Sequence, residues 1–197
     1  MPRVTFYFDL GSPFAYLAAE RLHDLLPEPI AWQPISLGAL FKLTGRSSWA
    51  LGDPKSREAG MAEVEGHARL YDLAPIRWPD PWPTNYLYAM RAATYAFQAG
   101  HGRPFTMQAF RQAFAHGNDL AIPEHVLKAA EQAGLDPSAV DEATRDPQIK
   151  LALRAATDAA CALGVFGVPT IVVDEDLFWG EDRLQDAAAA VKQTSGR

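Results

Sequence analysis

The chain has 197 residues, 48% of them apolar and 21% charged, with a net charge of −6. That composition fits one large globular domain or two small interlocked ones, excludes a disordered chain, and argues against nucleic acid as the main partner. No apolar run approaches the ~20 residues of a bilayer span and nothing reads as a secretory signal. Cys161 is the only cysteine, so neither an internal disulfide nor a cysteine-built zinc site can form, and a reducing cytoplasm is the expected setting.

Val4–Phe8 is β-branched or aromatic and predicts a short buried strand. It runs into Gly11-Ser12-Pro13, where glycine permits a sharp turn, serine is a favoured N-cap, and proline fits the first helical position. A helix is predicted over roughly 13–26, closed by a turn at Pro27-Glu28-Pro29, and a second strand over Ile30–Ile35. This β-α-β start implies a parallel pair. Residues 36–56 are mixed, with a helical turn at Leu37–Lys42 and loops around Gly45–Ser48 and Gly52–Pro54.

The middle of the chain predicts helices. Met61, Val64, Ala68 and Tyr71 recur at near-helical spacing, and after the proline-rich stretch Trp78–Asn85 either Thr84 or Asn85 caps the next helix. Phe105, Phe110 and Phe114 mark another helix, followed by 123–133, 137–144 and 147–163. Thr170–Val173 and Leu177–Trp179 then read as an antiparallel hairpin, and Glu181-Asp182-Arg183 opens a last helix to about Val191, with a frayed end at 194–197.

Ser12 is the candidate reactive position. An oxyanion or thiolate beside it would meet unpaired N–H groups and the positive end of a helix dipole, although from this segment alone a plain capping role is the simpler explanation of a serine there. The five histidines are scattered and read as solvated, with none near Ser12 in sequence, so Ser12 is cast as a hydrogen-bond donor rather than a nucleophile.

Three segments taken together, Phe6–Leu17, Gly164–Thr170 and Leu177–Leu184, resemble the 2-hydroxychromene-2-carboxylate isomerase family, relatives of kappa-class glutathione transferases in the DsbA-like branch of the thioredoxin superfamily. The resemblance spans essentially the whole chain. It implies an α/β, thioredoxin-like fold from residues 1–40 and 150–197, with an all-helical domain of residues 41–149 inserted between its halves. Where redox relatives carry Cys-x-x-Cys this chain has Ser12 and Ala15, which excludes dithiol exchange at that joint. The family reading makes Ser12 the catalytic donor to the sulfur of bound glutathione. It places the cysteinyl backbone on Val168, before a cis Pro169, and the γ-glutamyl end on Gly180, Glu181 and Asp182.

The same resemblance implies substrate binding by Lys42, Arg46, Asn85 and Tyr86, with Trp78 and Trp82 lining an aromatic slot; solvent exposure of Lys42 and Arg46 and loop packing of Trp78, Trp82, Asn85 and Tyr86 are the alternatives. Glu181 and Arg46 depart from the family pattern, which leaves open another low-molecular-weight thiol. The implied reaction is cis–trans isomerisation of an aromatic-degradation intermediate by reversible thiolate addition, with a small aromatic substrate. A kappa-type transferase and a non-catalytic thiol- or peptide-binding module stand as alternatives. No metal, flavin or nucleotide motif is present, and neither nucleic acid nor membrane is an expected partner. Family members often dimerise, and no interface is visible in the sequence.

Overall fold

The computed structural model describes residues 3–27 and 29–195, with side chains through Gln193. Glu28, the centre of the expected turn, and Gly196 and Arg197 of the expected frayed end lie outside the described residues. Strands β1 (Val4–Phe8), β2 (Ile30–Pro34), β3 (Thr170–Val173) and β4 (Asp176–Trp179) form one mixed sheet in the order β2-β1-β3-β4. β1 and β2 run parallel with Val4 opposite Ile30, β3 is antiparallel to β1, and β3–β4 is an antiparallel hairpin. Its two-residue turn carries Asp174 at a φ of 54°, a left-handed conformation that aspartate tolerates.

Around the sheet lie α1 (Pro13–Leu25), α2 (Leu37–Thr44), α3 (Pro54–Leu70), α4 (Leu87–Gln98), α5 (Gly102–Phe114), α6 (Pro123–Gln132), α7 (Pro137–Arg145), α8 (Pro147–Ala162) and α9 (Leu184–Ser195). The fold is thioredoxin-like. Two elements outrun their sequence expectation. α2 is a full helix, begun by Ser36, whose Oγ accepts the Ala39 N–H, and ended by Gly45 at a φ of 69°. α9 begins after a 3-10 turn at Glu181–Arg183 and continues past Val191 to Ser195. Asn85 serves the start of α4 by accepting the Leu87 N–H, although Tyr86 holds the cap position.

Period-two alternation sends the two faces of the sheet to different partners. Val4, Phe6 and Phe8 of β1 join Ile171 and Val173 in the main core with α1, α9 and the helical segment. Tyr7 and Val172 face the smaller cluster with Leu40 and Ala160. The main core is continuous from sheet to helical segment. Phe8 lies 5.9 Å from Phe110 between ring centroids, and Tyr16 lies 6.0 Å from Phe110 and 5.7 Å from Phe114. Fully buried Ala89, Ala92, Ala93 and Ala96 let α4 approach its neighbours closely.

Phe110 bridges the two parts of this core, so Phe110→Ala is expected to cost about 3–5 kcal/mol. Urea unfolding of the variant should keep a single transition with an unchanged slope. Two separate transitions would show that sheet and helical segment do not share a cooperative core.

Candidate functional site

The end of β1 and the start of α1 form one wall of a cavity of about 1230 Å³. Ser12 is the N-cap of α1: its Oγ accepts the Ala15 N–H at 3.2 Å, and Pro13 occupies the first turn. The capping role and the donor role are compatible, because the hydroxyl hydrogen has no acceptor among the described residues. Gly11 is required by close approach, since a Cβ there would overlap the Tyr86 ring. Tyr86 in turn lines the cavity. Burial pushes its phenol up to about 12, so it stays protonated and able to donate at neutral pH.

Behind Ser12 lies Asp9, only 5% exposed. One carboxylate oxygen accepts the Gly11 N–H at 2.8 Å and the other the Leu37 N–H at 2.7 Å, which fastens the β1–α1 joint to the start of α2. Burial raises its carboxyl to about 6 despite those two bonds.

The facing wall carries the Val168–Pro169 peptide, which is cis. Neither the N–H nor the C=O of Val168 has a hydrogen-bond partner among the described residues. The wall is braced on either side: Gly180 N–H donates to the Pro169 C=O at 3.0 Å, and the Thr170 hydroxyl donates to the Gly167 C=O at 2.8 Å. Trp179 packs on Gly167 and on Phe166, with ring centroids 4.8 Å apart. Gly180 has a φ of 114°, where a side chain would be strained and would collide with Asp182.

Glu181 lines the same cavity, but its carboxylate is buried, 2% exposed. Arg21 Nη1 reaches Oε2 at 2.6 Å, while His67 Nδ1 at 2.5 Å and the Tyr71 hydroxyl at 3.2 Å share Oε1. The Arg21 guanidinium also lies 3.4 Å over the Tyr71 ring. Toward a ligand, Glu181 therefore offers backbone only. The Asp182 side chain is exposed.

The remaining sequence-predicted residues line the cavity as well. Lys42 is exposed on the last turn of α2, and Arg46, also exposed, lays its guanidinium 4.1 Å from the Phe166 ring centroid. Asn85 faces the cavity with its oxygen engaged by Leu87 N–H. Trp82 lines the cavity, whereas Trp78 does not. Trp78 sits behind it at 4.6 Å and donates to Glu65 at 2.8 Å.

The solvated reading of the histidines is corrected at three positions. His67 is held by Glu181, His101 by the Ala133 carbonyl, and His125 by the Asp119 carbonyl. Sequence reasoning also missed the positional importance of Asp9, whose only signal was a lone acid at the end of an apolar strand. Among the described residues, no group of three His, Cys, Asp or Glu is placed to hold a metal ion, and no helix is long and apolar enough to cross a membrane.

A strand end opposed by an X–Pro turn, with a capped helix N-terminus between them, defines a thioredoxin-type site. The model of the DsbA-like thioredoxin domain matches residues 3–192, and the chain belongs to that family. It is 32% identical over 190 residues to a 2-hydroxychromene-2-carboxylate isomerase of Sphingobium xenophagum, covering 92% of this chain and 93% of that protein. It is 26% identical to human glutathione S-transferase kappa 1, covering 94% and 89%. A solved structure of 2-hydroxychromene-2-carboxylate isomerase superposes with a TM-score of 0.83 at 24% identity, covering 98% of this chain and 95% of that one.

Asp9 gives this site a pH signature. Its carboxyl titrates higher folded than unfolded, so the native state holds the extra proton between about pH 4 and 6, and stability from this group falls as pH rises through that window. The stability of wild type relative to Asp9→Asn should drop by on the order of 2–3 kcal/mol between pH 4 and 7 in urea unfolding. A difference independent of pH would contradict the assignment.

Proposed function

We propose that the protein is a glutathione-dependent cis–trans isomerase of a ring-opened aromatic-degradation intermediate, of the 2-hydroxychromene-2-carboxylate to trans-o-hydroxybenzylidenepyruvate type, acting in the cytoplasm. One observation carries the reading: the Ser12 hydroxyl hydrogen at the N-terminus of α1 shares a cavity with the N–H and C=O of Val168, all three without a partner among the described residues. These are the groups that a thiol on an extended peptide needs, and they make the fit to glutathione. The cavity exceeds the roughly 300–1,000 Å³ of a single-ligand cleft, which leaves room for a substrate beside the tripeptide.

Bound glutathione supplies a thiolate able to add to a conjugated carbon and to leave again. Ser12 donates to the sulfur while its oxygen keeps the Ala15 N–H, and the Phe14 N–H, which has no partner among the described residues, adds to the positive end of the helix dipole. Together they favour ionisation of a thiol that otherwise titrates near ~8.5. Val168 pairs with the cysteinyl backbone as one strand edge pairs with another. Glu181 contributes its backbone N–H to the γ-glutamyl head group, Gly180 lets the head group approach by carrying no side chain, and Asp182 adds its exposed carboxylate.

On the substrate side, Lys42 and Arg46 supply positive charge for a carboxylate, and Trp82 an aromatic wall. Tyr86 donates its phenol hydrogen and Asn85 its amide hydrogens. In this reading residues 41–149 act as an insert whose inner face closes the cavity over the joint. The kappa-type transferases among the relatives favour a second reading, in which the adduct is the product. Consumption of glutathione during turnover separates the two.

Ser12→Ala is the test. The rate constant kcat/KM for isomerisation should fall about 10- to 100-fold, from the loss of one hydrogen bond to a charged group. The pH titration of bound glutathione, followed by ultraviolet thiolate absorbance, should return toward that of the free thiol. The lost cap should cost only about 1 kcal/mol of stability. Unchanged turnover in Ser12→Ala would overturn the mechanism and favour a non-catalytic binding module.

A further inference from the structure

Trp82 belongs to a longer aromatic wall whose centre is Trp49. The half-buried Trp49 ring lies 6.0 Å from Phe14 and 5.4 Å from Trp82 between centroids, and all three side chains line the cavity. These are the spacings of packed aromatic pairs. The wall is held from behind. Gly60 stands in the interior of α3, where glycine weakens a helix, and a Cβ there would overlap the Trp49 ring. Trp49 opens a 3-10 turn, Trp49–Leu51, started by Ser48, whose Oγ accepts the Ala50 N–H at 3.2 Å. Ala50 is buried, which anchors the turn and leaves Trp49 on the wall and Leu51 at the cavity rim, 73% exposed.

Phe14, at one end of the wall, belongs to the first turn of α1, two residues from Ser12. Conjugate addition bonds the thiolate sulfur to the carbon that carries the aryl group, and the double-bond electron pair shifts to make an enolate of the keto group. Expulsion of the thiolate reverses both changes. The aryl group therefore sits beside Ser12, at the Phe14 end. A single ring placed there meets Phe14 and part of Trp49, and leaves Trp82 and the exposed Leu51 uncovered. A second, fused ring runs on along the wall, so that each of the two rings has a wall ring within the roughly 4.5–7 Å of a favourable aromatic pair.

We propose that Trp49, seated on Gly60, is the specificity-determining residue of an aryl site that selects a fused two-ring substrate over its single-ring homologue. The inference rests on the isomerase reading above and narrows its substrate class. Trp82 and Leu51 cover the outer ring, and Phe14 the ring next to the reacting carbon.

The test measures glutathione-dependent isomerisation of trans-o-hydroxybenzylidenepyruvate and of its hydroxynaphthyl homologue by wild type, Trp49→Ala, Trp49→Phe and Leu51→Ala. Wild type should favour the naphthyl compound about tenfold or more in kcat/KM, with the difference carried by KM. Trp49→Ala should reduce that ratio about five- to tenfold and Leu51→Ala about two- to threefold, whereas Trp49→Phe, which keeps a ring, should stay within about threefold of wild type. Leu51 is exposed, so Leu51→Ala gives a folded variant even if Trp49→Ala does not. A wild type without preference for the naphthyl compound, or a ratio unchanged in Trp49→Ala and Leu51→Ala, overturns the aryl site and leaves the isomerase reading standing. If wild type isomerises neither compound with glutathione, that reading falls and takes this inference with it.

Discussion

The buried carboxylate of Asp9 is the constraint on which the site depends. Two loops that leave the sheet, one toward α1 and one toward α2, each send a backbone N–H to it, at 2.8 and 2.7 Å. Ser12 is placed by the first loop, and α2, with Lys42 on its last turn and Arg46 just beyond it, by the second. The carboxyl is raised to about 6 because burial outweighs both hydrogen bonds. Stability is thus lost to hold a helix N-terminus open toward the cavity, as functional sites commonly require.

A second buried acid does the corresponding work on the far side. Glu181 joins the turn before α9 to Arg21 on α1 and to His67 beside the α3 end. Desolvating a carboxylate is costly, and the geometry offsets it with one guanidinium, one imidazole and one phenol on two oxygens. Such a pair contributes little net stability, but it ties the turn before α9 to α1 and to α3, and residues of all three line the cavity.

Local patterns made much of this legible. The Gly11-Ser12-Pro13 joint, the β3–β4 hairpin and the run of proline-initiated helices after residue 123 all follow from turn and cap chemistry a few residues long. The ten residues proposed for the site, from Ser12 to Asp182, do line a single cavity. What the sequence hid was interaction at long range. Glu181 and His67 are 114 residues apart, and the residues flanking His67 on α3 make it read as a solvated face. Glu181 read only as part of the turn that meets the γ-glutamyl end, since nothing nearby announces that Arg21 neutralises its carboxylate. Trp78 looked equivalent to Trp82, yet its hydrogen bond to Glu65 turns it out of the cavity. The length of α2 depended on Gly45 taking a left-handed conformation, which composition alone does not specify.

The central claim is that the α1 joint and the Val168 edge together hold the thiol of glutathione. A crystal structure of the protein grown with millimolar reduced glutathione tests it most directly. The account predicts the cysteinyl sulfur within hydrogen-bond reach of Ser12 Oγ and the cysteinyl backbone paired to Val168 N–H and C=O. A tripeptide bound elsewhere, or a cavity without it at that concentration, would contradict the account.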